Sequence, residues 1–309
     1  MTAEALIEAW AGLAIRANVL LRDPGALDIE PRLRKLDTEL CELLSGEPNG
    51  SLLWLVHHNT HEPRHYSVLH ALLVAAVCEM TADYLPDVSA EMRTATRLAA
   101  LTMNLGITRL QDELVRQLTP PTDEQREALR DHGARAAALL RDAGVDNALW
   151  LTAVEQHHSA PSDALAELAP ALRVARLVQQ ADVFAARLSP REVRHALAAN
   201  DAAKGIYFNE QKTPDDTGAA IIKAVGIYLP GSAVLLRSGE VAVVVRRGLL
   251  ANQPLVASIT NRQGMPVSAP QLRDCRRPDN AVVSGLPPHQ LRVRVVLGQV
   301  LRLAQQAGS

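Results

Sequence analysis

Signals for the start of helices recur through residues 61–230, and they constrain the fold more than any other feature of the chain. Thr122 and Gln125 have the spacing of a capping box, in which two side chains satisfy the free backbone N–H groups of a first helical turn. Ser189-Pro190 and Thr213-Pro214 each place a capping hydroxyl before a proline, an order typical of a helix start. Apolar periodicity predicts further helices near residues 66–85, 149–158 and 165–188.

The apolar composition also favours the packing of helix on helix. Hydrophobic residues make up 48% of the chain but aromatic residues only 3%, so the core must consist mainly of Leu, Ala and Val. Such a composition suits helical packing better than a sandwich of strands. We therefore predict a mainly α fold.

The pattern changes at residue 231, where β-branched runs and Gly/Pro turns begin. Residues 233–236 and 241–245 flank Ser238-Gly239, which predicts a β-hairpin, and residues 255–259 form a third candidate strand. We expect a small antiparallel β element at the C-terminal end. Residues 291–303 fit a strand or a helix equally well.

The change of pattern at residue 231, together with helix breaks at Asp23-Pro24 and Gly46–Gly50, divides the chain into three segments. The predicted segments are an N-terminal helical region at 1–60, a helical domain at 61–230 and a β-rich extension at 231–309.

The charge balance argues against several classes of partner. The net charge is -2 and the isoelectric point is about 6.6. Nucleic acid and anionic membranes are therefore not favoured as partners. Residues 3–21 are apolar but carry Glu4, Glu8 and Arg16, so they predict an amphipathic helix and not a membrane span. Three cysteines without CxxC spacing and the absence of a signal-peptide pattern lead us to expect a cytoplasmic protein, and a homodimer is a further possibility.

Histidines and one aspartate are the candidates for chemistry. His157 and His158 are adjacent at the end of a predicted helix, and Asp182 lies on an otherwise apolar face of the next helix. His70 and His132 precede them. Imidazole and carboxylate groups are the usual ligands of Zn, Mn and Fe. A single histidine of this kind is more often a packed core residue than a ligand, and Asp182 taken alone is equally well explained as half of a salt bridge.

Several stretches around these residues resemble the HD-GYP family, the branch of the HD phosphohydrolase superfamily that hydrolyses cyclic di-GMP. The resemblance covers about residues 60–245 and implies an HD-type helical bundle. Its matching stretches are Tyr66-Ser-Val-Leu-His70, the run that leads to His132, Gln156-His157-His158, Ala181-Asp182 with Arg191 and Arg194 downstream, and residues 224–245.

The chain departs from the family's pattern at the residues that carry catalysis. The His-Asp doublet that names the superfamily is expected where Met103 and Asn104 stand, and its following lysine is Ile107. The acid and the GYP loop expected after His158 are also missing. In the family the doublet's aspartate bridges two metal ions. The resemblance thus implies that one metal position retains His70 and Asp182, and the other retains His132, His157 and His158.

Three functions are consistent with these residues. The first is a degenerate HD-GYP-like signalling domain that binds cyclic di-GMP or a bacterial signalling protein and is catalytically impaired. The second is an active metal-dependent phosphodiesterase with a reduced metal site. The third is a metal-free protein–protein scaffold. The cofactor is then one divalent ion (Zn, Mn or Fe) or none. The resemblance implies phosphate contacts by Arg191 and Arg194, which surface positions would explain equally well.

Overall fold

The computed structural model describes residues 1–23, 28–190, 195–208 and 213–306, and its fold is mainly α, as predicted. Thirteen α-helices and five β-strands lie within these residues. The helices are α1 (Ala3–Arg22), α2 (Ile29–Gly46), α3 (Pro48–His61), α4 (Tyr66–Ala82), α5 (Ala90–Thr102), α6 (Thr108–Leu114), α7 (Asp123–Arg130), α8 (His132–Asp142), α9 (Ala148–Gln156), α10 (Pro170–Leu188), α11 (Ala199–Tyr207), α12 (Asp216–Val225) and α13 (Leu297–Gln306).

Helix α4 forms the centre of the helical part. It packs against α3, α5, α10 and α12, and nearly all of its residues are buried. Residues Pro63–Ala82 are long and apolar enough to cross a membrane, with a mean hydropathy of 1.3, but 83% of this stretch is buried inside the protein. Its apolar character is therefore explained by its central position, because a helix that is hydrophobic on all sides suits the core of a large bundle.

The strands form one antiparallel sheet in the order β4-β3-β2-β1-β5. The predicted hairpin and third strand are confirmed. Alternate residues of β2 serve two cores: Val243 and Val245 face the helices, whereas Ala242 and Val244 face a second cluster within the sheet. The strands are β1 (Ala233–Leu236), β2 (Val241–Arg246), β3 (Leu255–Thr260), β4 (Pro266–Asp274) and β5 (Val282–Leu286).

The helix start predicted at Thr213-Pro214 was placed two residues too early, and the one predicted at Ser189-Pro190 leads into residues 191–194, which lie outside the described residues. Ser189 ends α10, and its hydroxyl donates to the carbonyl of Ala185. Helix α12 begins two residues after Pro214, because the carboxylate of Asp215 accepts from the N–H of Gly218 at 2.8 Å and caps the helix. The ambiguous stretch at 291–303 is helical from Leu297 onward.

One hydrophobic core joins all three segments of the chain. It includes Leu6 and Trp10 of α1, Leu72 of α4, Val243 of β2 and Leu301 of α13. The three-segment division of the sequence stays a prediction, and the first 60 residues contribute to the same core as the rest.

A buried ion-pair network fixes the N-terminal helices to this core. Arg97 of α5 binds Asp37 of α2 through two hydrogen bonds of 2.6 and 2.9 Å, and it binds Glu79 of α4 at 2.5 Å. The side chains of Arg97 and Asp37 are each less than 10% exposed. A charge removed here leaves its partner buried and unpaired, which is strongly destabilising.

We expect Asp37→Ala to lower the free energy of unfolding by about 3–5 kcal/mol. The matched control is Glu39→Ala, on the same helix, where the lost partner Arg16 is 55% exposed and the expected change is below about 1 kcal/mol. Urea denaturation of both variants measures the difference. Equal losses of unfolding free energy in Asp37→Ala and Glu39→Ala would show that the Arg97 network does not hold α2 in place.

Candidate metal centre

Two helix ends meet at the candidate metal centre. His132 is the first residue of α8, and His157 follows the last residue of α9. The two helices approach closely at Gly133, where a Cβ atom would lie 2.9 Å from the carbonyl oxygen of Glu155 and 3.0 Å from that of Val154. Only glycine allows this approach, so Gly133 brings the two histidines together.

Backbone carbonyls fix the tautomers of these two histidines. The Nδ1 of His132 lies 2.6 Å from the carbonyl oxygen of Leu129, in the last turn of α7, and the Nδ1 of His157 lies 2.7 Å from that of Val154, in the last turn of α9. A carbonyl oxygen only accepts, so each Nδ1 carries the proton. The Nε2 of each neutral ring is then a lone-pair donor, which is the arrangement found for metal-binding histidines.

The two Nε2 atoms face each other at 3.1 Å. With both protons on Nδ1, this contact places two lone pairs together and is repulsive unless a cation lies between them. Two ligand nitrogens on a tetrahedral zinc ion, each at about 2.0–2.1 Å, are about 3.3 Å apart. The observed separation therefore fits two ligands of one ion.

His158 supplies a third imidazole at the solvent side of the pair. Its ring centroid lies 4.9 Å from that of His132 and 4.1 Å from that of His157. One ring nitrogen from each of the three residues lies within 4.8 Å of the others. His132 and His157 are buried but His158 is exposed, so three ligands would leave an open side toward water.

Burial keeps the two inner imidazoles neutral. It lowers the pKa of His157 to about 3 and also lowers that of His132, and the neighbouring His158 adds to both effects. Helices α7 and α9 end at the centre with partial negative charge, whereas α8 begins there with partial positive charge.

His70 and Asp182 form a separate pair on α4 and α10. The Nε2 of His70 lies 2.6 Å from Oδ1 of Asp182, so the partner of Asp182 is an imidazole. Burial acts to raise the pKa of Asp182, but the hydrogen bond from His70 and the nearby His157 and His158 lower it to about 2. The buried Nδ1 of His70 has no hydrogen-bond partner within the described ranges.

The positions where the family resemblance predicts a His-Asp doublet lie directly after a neighbouring helix. Met103 and Asn104 follow α5, which packs against α4, α9 and α10, the helices that carry or adjoin the other site residues. Met103, Asn104 and Ile107 are all buried. Among the described residues, none makes a hydrogen bond with the side chain of Asn104. Arg191 and Arg194 lie outside the described residues.

Four residues contribute to the site without having been predicted from the sequence: Gly133, Leu129, Val154 and Tyr66. The ring of Tyr66 stacks on His70 with a centroid distance of 5.2 Å. The carbonyls could have been found, because each lies three residues before its histidine at the end of a helix, where carbonyls lack helical partners.

The chain is similar to the cyclic di-GMP phosphodiesterase PA4108 of Pseudomonas aeruginosa, with 28% identity over 214 residues. The matched region is 68% of this chain and 50% of the relative, so the chain spans about half of the relative's length. No protein-family model and no solved structure matches the chain.

We expect Gly133→Ala to lower the free energy of unfolding by about 1–3 kcal/mol, because the added methyl group must push two backbone carbonyls apart. The matched control is Gly46→Ala at the end of α2, where a Cβ would meet nothing within 4 Å. Its expected effect is within about 0.5 kcal/mol of zero. Urea denaturation measures the free energy of unfolding of both variants. A Gly133→Ala variant as stable as the wild-type protein would contradict the close approach of α8 to α9.

Proposed function

We propose that this chain is a degenerate HD-GYP-like domain of cyclic di-GMP signalling that holds one divalent ion and is catalytically impaired. The observation that supports it most is the 3.1 Å contact between the unprotonated Nε2 atoms of His132 and His157, with His158 beside them. The similar protein from Pseudomonas aeruginosa is named as a cyclic di-GMP phosphodiesterase, which supports the ligand class.

The residues present would hold one ion more readily than two. His132, His157 and His158 are the ligands of the proposed ion. The second position retains His70 and Asp182, which bind each other. Two ligands are too few for a tight structural or catalytic site, which normally has three or four protein ligands. Asn104 offers only a neutral amide oxygen, and Met103 offers a thioether that hard divalent ions bind poorly.

We expect impaired catalysis because the chain lacks groups that the hydrolysis of a phosphodiester requires. A bound divalent ion supplies Lewis acidity to a water or a phosphate oxygen. A second cationic group is then needed to stabilise charge at phosphorus, and removal of one such stabiliser typically costs about 10²–10³-fold in rate. Ile107 replaces the lysine that the family resemblance leads us to expect, so that stabiliser is missing as well.

Cyclic di-GMP would bind through its phosphates, and Arg191 and Arg194 are the proposed contacts. Calorimetric titration of the purified chain with cyclic di-GMP tests this. A titration without any heat of binding would exclude cyclic di-GMP as the ligand and favour a protein partner.

We expect the purified protein, loaded with Zn²⁺ and desalted, to retain about one ion per chain, the number that three imidazoles with an open fourth position hold. His157→Ala and His132→Ala should lose this ion because each removes a buried ligand. His70→Ala should keep it, and His65→Ala, an exposed histidine outside the cluster, is the matched control. Elemental analysis measures the stoichiometry. A wild-type protein that retains no metal under any loading condition would favour the scaffold function instead.

We expect only trace hydrolysis of cyclic di-GMP by the wild-type protein with Mn²⁺ or Fe²⁺. The double substitution Met103→His with Asn104→Asp restores the doublet and should raise both the metal stoichiometry toward two and the rate. Met103→Leu with Asn104→Ala changes the same positions without adding ligands and is the control. Chromatography of the products measures turnover, and robust hydrolysis by the wild-type protein would establish the active-enzyme alternative.

A further inference from the structure

A cavity of about 390 Å³ adjoins the candidate metal centre, between α6 and the segment that leads to α7. Its volume is within the range of small-molecule pockets. Two of its lining residues also contact the site residues: Tyr66 stacks on His70, and the carbonyl of Leu129 orients the ring of His132. A molecule held at the three histidines therefore has this cavity beside it.

The walls of the cavity suit an uncharged, flat group. Within the described part of the chain, no charged side chain lines it. Leu118 is 72% exposed, so its apolar side chain is open to contact by a ligand. A phosphate would lose hydration here without gaining a cation, whereas the faces of a nucleobase are flat and uncharged. The apolar lining residues are Leu114, Val115, Leu118, Pro120, Pro121 and Leu129.

Hydrogen bonds hold the segment that forms one wall of the cavity. Gln117 and Gln125 exchange two of them, with Nε2 to Oε1 distances of 3.1 and 3.0 Å. Gln117 also donates to the carbonyls of Thr119 and Pro120, each at 3.1 Å. The wall is therefore preformed, which lowers the ordering cost of binding a ligand.

Gln111 provides a hydrogen-bond donor at the cavity. Its Oε1 is buried without a partner, whereas its Nε2 is not buried and none of the described residues accepts from it. Gln111 lines the cavity, so the end of the amide that a ligand can reach is a donor. Guanine presents O6 and N7 as acceptors on one edge, whereas adenine carries an amino donor in place of O6. A donor here therefore favours guanine over adenine.

We propose that this cavity is the subsite for one guanine base of cyclic di-GMP, and that the Nε2 of Gln111 donates to O6 of that base. The phosphates then lie toward the three histidines, and the base occupies the uncharged cavity next to them. This inference rests on the proposed function and adds to it the residue that selects the base.

Calorimetric titration of the Zn²⁺-loaded protein with cyclic di-GMP and with cyclic di-AMP tests the choice of base. We expect cyclic di-GMP to bind at least about threefold more tightly. Gln111→Leu keeps a side chain of similar size but removes the donor. It should weaken binding of cyclic di-GMP about three- to tenfold, the loss expected for one hydrogen bond, and should not weaken that of cyclic di-AMP. Gln111→Met is the second variant if Gln111→Leu fails to fold.

Two substitutions locate the base. Leu114→Trp fills the cavity, and Thr119→Trp narrows it from the exposed segment, so each should weaken binding of both dinucleotides by at least about tenfold. Glu127→Trp adds the same ring at an exposed position of α7 outside the cavity and is the matched control. Elemental analysis of each variant should still find about one ion per chain, because none of these residues is a metal ligand.

The results separate this inference from the proposed function. Binding of cyclic di-GMP that is lost in His157→Ala but unchanged in Leu114→Trp and Thr119→Trp would overturn the guanine subsite alone. Equal losses of both dinucleotides in Gln111→Leu would overturn the role of Gln111 in selecting the base. A wild-type protein that retains its ion but binds neither dinucleotide would overturn the subsite together with the proposed nucleotide ligand.

Discussion

The contact between the start of α8 and the end of α9 is the constraint on which the candidate site depends. Gly133 permits the two backbones to approach until a methyl group would no longer fit. The same approach places His132 and His157 so that their Nε2 atoms are 3.1 Å apart. The carbonyls that orient the two rings belong to helix ends, where such groups have no helical partner. The positions of His132 and His157, their tautomers and the electrostatic potential around them therefore all result from the close approach of these helix ends.

The pair of His70 and Asp182 forms a second group of polar side chains beside the three histidines. A buried carboxylate needs a cation or hydrogen-bond donors, and here the imidazole of His70 provides a short contact of 2.6 Å. Asp182 is also close enough to His157 and His158 for these rings to affect its pKa. The five side chains therefore share one region, but they form two groups with different partners.

Much of the fold could be predicted because its signals are local. The β1–β2 hairpin follows from Ser238-Gly239 between two apolar runs, and the confirmed helices follow from apolar periodicity. Strands β4 and β5 were not predicted, because each is an edge strand that includes Pro270 or Gly285, residues that usually argue against a strand. The histidines could be selected by their order in the chain. Their geometry could not, because the approach at Gly133 joins residues more than 20 positions apart.

Helix α4 contacts both the N-terminal helices and the helix that carries Asp182. Leu69 lies beside Trp54 of α3 in a groove against α1, and the next residue, His70, binds Asp182. Adjacent residues of a helix point about 100° apart, so this one turn faces the N-terminal helices on one side and the candidate site on the other. Because α4 is packed on nearly all sides, a displacement of Leu69 cannot be absorbed by its side chain alone. The N-terminal helices and the candidate site therefore share one buried helix as their support.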